Sequence, residues 1–279
     1  MDRLLIVDGM NLTFQMFFGM PSQIIGRHGR PIQGTVGFLG ALIRVIRRLS
    51  PTHVAVIFDG QHHNPRTDLD PEYKANRPDW SEMAEDELPF SQLPDIYTAL
   101  DYLGIAHAET TVCECDDVIA AYAKKCSSDC ETVIMSQDSD YFQLIGDNVR
   151  VLRYRGEQSV MCDSDYVRGR YGISPTQYAD FKSLVGDSSD NIKGAPGIGP
   201  KTAAALLAEH KSLDGVIESA ESIGRTAIRA SITDSVDRLR KNMLLIRLDG
   251  CADLPFALSE LRYEYNGASS SDVLRAIGL

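Results

Sequence analysis

The sequence predicts an α/β protein: a mostly parallel sheet flanked by helices, followed by a helical C-terminal region. Three observations predict it. Short apolar runs that read as buried strands alternate with segments of helical periodicity up to about residue 154, the pattern of a parallel sheet with crossover helices. From about Tyr166 the strand signal fades while helical patterns continue. Three of the apolar runs also end in aspartate, where open α/β sheets collect their ligands, at the carboxyl ends of the strands.

Leu4–Val7 reads as a short buried strand, and Thr35–Leu49 as an amphipathic helix with Phe38, Leu42, Val45, Ile46 and Leu49 at helical spacing. Val54–Phe58 is the second strand. Leu93–Leu103 is helical and ends at Gly104, a C-terminal cap glycine. Asp117–Lys125 is a helix, and Thr132–Met135 and Val149–Tyr154 are strands. Beyond them, Pro175–Leu184, Thr202–His210, Leu213–Ser219 and Ser231–Ile246 carry helical patterns, and the Gly/Ser-rich stretch around Gly267–Asp272 is expected to fray. Pro65–Pro89 is polar, acidic and aperiodic, too long for a simple connection.

Composition excludes several classes. With 43% hydrophobic and 24% charged residues, a chain of 279 has material for a sizeable core. No apolar run reaches the roughly 18 residues of a membrane span. The N-terminus opens directly on a strand rather than on a signal peptide, so a cytoplasmic protein is expected. Cys113, Cys115, Cys126, Cys130, Cys162 and Cys251 are too few for a disulfide scaffold. The spacing of the first four fits no common zinc motif.

The acids carry the chemistry. Strand ends supply Asp8, Asp59, Asp138 and Asp140; Glu114, Asp116 and Asp117 begin a helix; Asp187 and Asp190 stand three apart further on. One such aspartate is ordinarily a turn or cap residue, and an acidic helix start ordinarily complements the helix dipole. Five clusters directed to one sheet edge are a different matter, because grouped carboxylates require shifted pKa values or bound cations. Oxygen ligands suit Mg²⁺ or Mn²⁺, and two such ions suit phosphodiester hydrolysis. The net charge of −11 taken whole opposes a nucleic-acid partner, but setting these nine acids aside leaves −2.

Gly197-Ile198-Gly199-Pro200-Lys201-Thr202 opens a predicted helix, whose backbone N–H groups suit a phosphate. It is not an ATP-binding P-loop, since Pro200 intervenes before Lys201-Thr202 and no strand precedes it.

Taken together, Leu5–Gly9, Val56–Gly60, Tyr73–Pro78, Glu114–Asp117, Ser136–Asp140 and the run from Val185 through Ile192 to Thr202 resemble the 5′-nuclease family. That family comprises the 5′→3′ exonuclease domain of bacterial DNA polymerase I, stand-alone 5′→3′ exonucleases and flap endonucleases. The resemblance extends in order from residue 4 to about residue 246, and the Val185–Thr202 run is its most specific part. It implies a PIN-like catalytic domain over residues 1–172, with an arch at about 65–93. A helical region over 173–279 follows, with a DNA-binding helix–two-turn–helix at about 180–210.

The resemblance also implies residue roles. Asp8, Asp59, Glu114, Asp116 and Asp138 serve a first divalent metal and its nearby shell, and Asp117, Asp140, Asp187 and Asp190 a second or its waters. Asp116, Lys74 and Arg77 are catalytic, the two cations contacting the scissile phosphate, and Tyr73 stacks on a base. Main-chain carbonyls of Leu184, Val185, Lys193, Ala195 and Ile198 hold K⁺, while Lys201 and the amides of Gly197–Thr202 face a DNA phosphate. The implied partners are DNA with 5′ ends, flaps or nicks, RNA primer–DNA hybrids and a DNA polymerase, for a monomeric enzyme. Cys113 and Cys115 replace the more usual Tyr and Ala around Glu114, and Asp79, Glu82, Glu85, Asp86 and Glu87 make the arch unusually acidic. A junction-binding protein, a metal-dependent phosphatase and a PIN-type ribonuclease are the competing readings.

Overall fold

The computed structural model describes residues 2–27, 29–78, 84, 88–128, 130–250 and 252–279. The arch acids Asp79, Glu82, Glu85, Asp86 and Glu87, and Cys251, lie outside them.

Six strands form the main sheet: β1 (Asp2–Asp8), β2 (His53–Phe58), β3 (Ala106–Glu109), β4 (Cys130–Met135), β5 (Val149–Arg153) and β6 (Val160–Cys162), in the order β3-β2-β1-β4-β5-β6. All neighbours are parallel except β5 and β6. The central strands are apolar runs because both faces of a parallel sheet are covered. Leu4 and Ile6 enter one core with helix α5 (Cys115–Cys126), while Leu5 and Val7 enter the other with α2 (Gln33–Leu49) and α4 (Leu93–Leu103). In register, Val7 faces Val56 on one side and Met135 on the other. The ends of β1, β2 and β4 are therefore adjacent, and the residues that follow share one edge.

Several elements carry no clear sequence signal. Helix α1 (Gly9–Gly19) follows β1 without a loop, with Asp8 as its N-cap. The short α3 (Pro65–Leu69) lies inside the segment read as aperiodic, capped by Asn64. Strand β3, the antiparallel β6 and helix α6 (Ser164–Tyr171) were also not anticipated.

The C-terminal region contains α7 (Tyr178–Val185), the two-residue strands β7 (Gly186–Asp187) and β8 (Ile192–Lys193), α8 (Pro200–His210) and α9 (Leu213–Glu218). The single helix expected over Ser231–Ile246 is two, α10 (Thr226–Asp234) and α11 (Val236–Ile246). They break at the buried Ser235, a residue type that favours helix ends over interiors. The expected fraying at the C-terminus is also corrected. Ser269 caps α12 (Ser270–Ala276), and Val273, fully buried, packs that helix into the core of α2 and α4. One apolar side chain with a capping box anchors a polar-looking terminus.

Candidate metal centre

The edge of the sheet is built from helix starts aimed at strand ends. Asp8 accepts a hydrogen bond from Asn11 N (2.9 Å) through Oδ1, and from Ser136 Oγ (3.0 Å) and Tyr141 Oη (3.2 Å) through Oδ2. Tyr141 Oη also stands 3.3 Å from Asp116 Oδ1. Asp59 Oδ1 accepts from Cys115 N (2.8 Å), so the end of β2 receives the start of α5. Asp138 Oδ1 accepts from Asp140 N (2.8 Å). Four of the acids expected at the first metal, Asp8, Asp59, Asp116 and Asp138, form no ion pair among the described residues.

Glu114 differs. Its Oε2 accepts from Arg66 Nη1 (2.7 Å) and Tyr73 Oη (3.1 Å), and its Oε1 contacts Lys74 Nζ. Lys74 adopts a left-handed backbone (φ 58°), and its N–H donates to Asp190 O (3.0 Å). This bond fastens the Tyr73–Arg77 segment to the turn between β7 and β8.

A second group lies beside the first. Asp140, Asp187 and Asp190 each present a carboxylate oxygen within 4.8 Å of the others. Asp187 Oδ1 accepts from Ser189 N (2.9 Å) and Ser189 Oγ (2.6 Å), while Asp190 pairs with Arg77 (3.2 Å). Lys182 Nζ contacts Asp187 Oδ2 and lies 2.9 Å from Asp140 Oδ1. That buried oxygen has no donor in hydrogen-bonding geometry.

Asp117, expected at the second metal or its waters, pairs with Arg66 through Nη1 (2.8 Å) and Nη2 (2.8 Å).

The electrostatics show what the site lacks. Burial pushes the Asp8 and Asp140 carboxyls up to about 7 and raises Asp116 well above the carboxylate range, with neighbouring acids adding to the effect. Burial also raises Asp59 and Asp190. Burial opposes ionisation of Glu114 and Asp187 too, yet Lys74 and Arg66 hold the first, and Lys182 the second, below the ordinary value. Buried carboxylates that would rather keep their protons, all oxygen donors, fit hard divalent cations.

The expected DNA contacts are placed unevenly. Tyr73 is 6% exposed and packs with Ala179, Ile192, Leu245 and Ile246, so its ring face is not open to a base. Lys74 is likewise engaged, whereas the Arg77 side chain is 58% exposed. At the start of α8, Gly197 has φ 76° and is exposed, as are Pro200 and Lys201. Pro200 has no N–H, and the amide of the buried Ile198 already donates to Ala195 O (3.1 Å), which removes two of the expected amides. Those of Lys201 and Thr202 lie in the first helical turn, where no internal acceptor exists.

Two of the main-chain carbonyls expected to hold K⁺, those of Leu184 and Val185, lie against Gly194. A Cβ on Gly194 would lie 2.3 Å from Leu184 O and 2.5 Å from Val185 O. Leu184 O accepts from Ala195 N (2.9 Å) and Lys193 O from Asn242 Nδ2 (2.9 Å), and each carbonyl keeps a second lone pair.

A family model described as the 5′-3′ exonuclease N-terminal resolvase-like domain matches residues 3–172, and one described as the 5′-3′ exonuclease C-terminal SAM fold matches residues 173–268. The chain belongs to the 5′-3′ exonuclease family. DNA polymerase I of Rhizobium leguminosarum is 35% identical over 265 residues, covering 92% of this chain and 25% of that protein. Thermostable DNA polymerase I of Thermus thermophilus is 34% identical over 254 residues, covering 91% and 29%. This exonuclease-family chain thus spans less than a third of the length of these relatives. Among solved structures, T5 5′-exonuclease with zinc bound superposes with a TM-score of 0.74 at 22% identity over 99% of both chains. The catalytic core of Rad2 with DNA substrate gives 0.60 at 15%, over 99% of this chain and 93% of that one. Both establish a shared fold.

The 5′-3′ exonuclease fold also brings in residues that sequence reasoning missed: Arg66, Lys182, Tyr141 and Ser136. A lone basic residue in a loop or an aromatic after an acid is no signal by itself. The available hint was that each lies within a few residues of a motif acid or of the basic Tyr73–Arg77 segment.

Proposed function

We propose that this chain is a structure-specific 5′ nuclease, a 5′→3′ exonuclease and flap endonuclease that hydrolyses DNA phosphodiester bonds with two divalent cations, Mg²⁺ or Mn²⁺. The observation that carries this reading is the pair of acid groups at the carboxyl edge of the sheet, in which burial pushes Asp8 and Asp140 up to about 7. Asp8, Asp59, Asp116 and Asp138, with Glu114 at their margin, hold the first ion; Asp140, Asp187 and Asp190 hold the second. When bound, such a pair supplies a Lewis-acid clamp on the attacking and leaving oxygens of an in-line displacement.

The chain's own groups do the rest. Tyr141 and Ser136 orient the Asp8 carboxylate, and Tyr141 also steadies Asp116. Lys74 and Arg77, at Glu114 and Asp190, neutralise the scissile phosphate, a fixed cation stabilising charge that grows in the transition state. Lys201 and the first-turn amides of α8 take a backbone phosphate of the duplex, with K⁺ held by the carbonyls of Leu184, Val185, Lys193, Ala195 and Ile198. The substrates are 5′ ends, flaps and nicks, including RNA primer–DNA hybrids, in replication and repair. The polymerase relatives support a DNA polymerase partner. We read the protein as a monomeric cytoplasmic enzyme in two parts, 1–172 and 173–279. No helix among the described residues is long and apolar enough to cross a membrane.

The test is cleavage of a 5′-flap duplex by wild type and Asp116→Ala, in Mg²⁺ and in EDTA, with product lengths mapped. Metal-dependent cuts near the junction, reduced by about 10³-fold or more in the variant, are expected. Tight flap binding without cleavage in Mg²⁺ or Mn²⁺ would favour a junction-binding protein instead.

A further inference from the structure

The two acid groups differ in one respect that their composition does not suggest. Asp8, Asp59, Asp116 and Asp138 form no ion pair among the described residues, the cations Lys74 and Arg66 being held by Glu114 at their margin, whereas two of the three acids of the second group share one ammonium directly. Lys182, on α7, reaches Asp140 Oδ1 (2.9 Å) and Asp187 Oδ2 with a side chain only 12% exposed. Arg77 meets the third acid, Asp190, from the arch side with a largely exposed side chain.

We infer that Lys182 is a built-in counter-ion of the second metal site: its ammonium occupies ligand oxygens of Asp140 and Asp187 in the metal-free protein and is displaced when a divalent cation binds. The inference rests on the two-metal reading above. Three carboxylates within 4.8 Å of one another would repel strongly if left alone in a partly dry site. One ammonium brings their sum from three negative charges to two. An ammonium buried to this degree is itself tolerable only while paired. It thus stabilises the metal-free fold and keeps the three acids assembled. A divalent cation needs the same oxygens at shorter range, and it repels the ammonium. Binding at the second site is therefore an exchange of one cation for another, while at the first site Asp8, Asp59, Asp116 and Asp138 hold no ion-paired cation to displace and only the marginal Glu114 is already paired. Two consequences follow for this chain: the first site fills before the second, and Lys182 sets the gap between them. Lys182 is a positioning residue in this account, acting through Asp140 and Asp187 rather than on the substrate.

The experiment is calorimetric titration of the full chain with Mn²⁺, without DNA, for wild type, Asp140→Asn, Lys182→Met and Lys182→Arg. Wild type is expected to show a stronger and a weaker class of site, with Asp140→Asn removing the weaker. Failure of that pair of results would count against the two-metal reading itself. Given it, Lys182→Met is expected to tighten the weaker class by about tenfold, since a nearby positive charge is removed, and to leave the stronger class within about twofold. Lys182→Arg, which keeps the charge, is expected to retain the gap. An unchanged or weakened second site in Lys182→Met overturns the inference. Where Lys182→Met fails to fold without metal, as circular dichroism would show, Lys182→Gln takes its place under the same criteria.

Discussion

Arg66 and Asp117 meet through two parallel hydrogen bonds, each 2.8 Å, with the guanidinium side chain 11% exposed. The same Arg66 donates to Glu114 and, through Nε, to Leu245 O (2.9 Å), so it joins α3, α5 and α11. Arg66→Ala would leave the half-buried Asp117 without its partner and Glu114 with only Lys74 and Tyr73, and is expected to cost about 3 kcal/mol of stability. Arg66→Lys would rescue little of it, because an ammonium cannot reproduce the two-pronged contact. Urea unfolding of the three proteins checks this. Asp117→Asn, in turn, should lose stability yet keep far more flap cleavage than Asp116→Ala, since both Asp117 oxygens are already engaged by Arg66.

The metal-free protein should be less stable at neutral than at mildly acidic pH. Asp8 and Asp140 titrate near 7 in the fold, against an ordinary 3.8. Between about pH 4 and 7 the folded chain therefore holds protons that the unfolded chain has released, and its stability falls as pH rises through that window. Glu114 and Asp187, held low, act in the opposite sense only below the ordinary carboxylate range. Melting temperatures in EDTA should fall from about pH 5 to about pH 8. Saturating Mg²⁺ should reduce or reverse the trend, since ligation needs the ionised carboxylates. A flat profile in EDTA would refute the burial argument.

Tyr73 should behave as a core and hydrogen-bonding residue rather than as a stacking platform. Tyr73→Phe removes only the donor to Glu114 and is expected to lower kcat a few-fold, with flap affinity unchanged. Tyr73→Ala should destabilise by about 3–5 kcal/mol. An affinity loss in Tyr73→Ala without a stability loss would restore the stacking role.

Gly194→Ala tests the carbonyl cradle. The added methyl would meet Leu184 O and Val185 O, backbone atoms that cannot give way cheaply. We expect flap affinity, measured by fluorescence anisotropy in Ca²⁺, to drop by about tenfold and to lose its response to K⁺, at a stability cost of about 1–3 kcal/mol. An unaltered K⁺ response would remove these carbonyls from consideration as the ion's ligands.

Sequence alone determined the alternation of strands and helices, the aspartates after β1, β2 and β4, and the start of α8. These are local matters: period, turn chemistry and capping are written within a few residues of where they act. The parallel order then follows from strands that are apolar on both faces, and it brings the carboxyl ends together. Only the tertiary structure decided which cation meets which acid. Arg66 is 51 residues from Asp117, and Tyr73 is 41 from Glu114. Asp117 and Asp116 are sequence neighbours on opposite errands because a helix turns about 100° per residue. The burial of Tyr73, the break at Ser235 and the anchoring of α12 through Val273 belong to the same class. Each depends on which surfaces the packed elements present to one another, and no single segment encodes that.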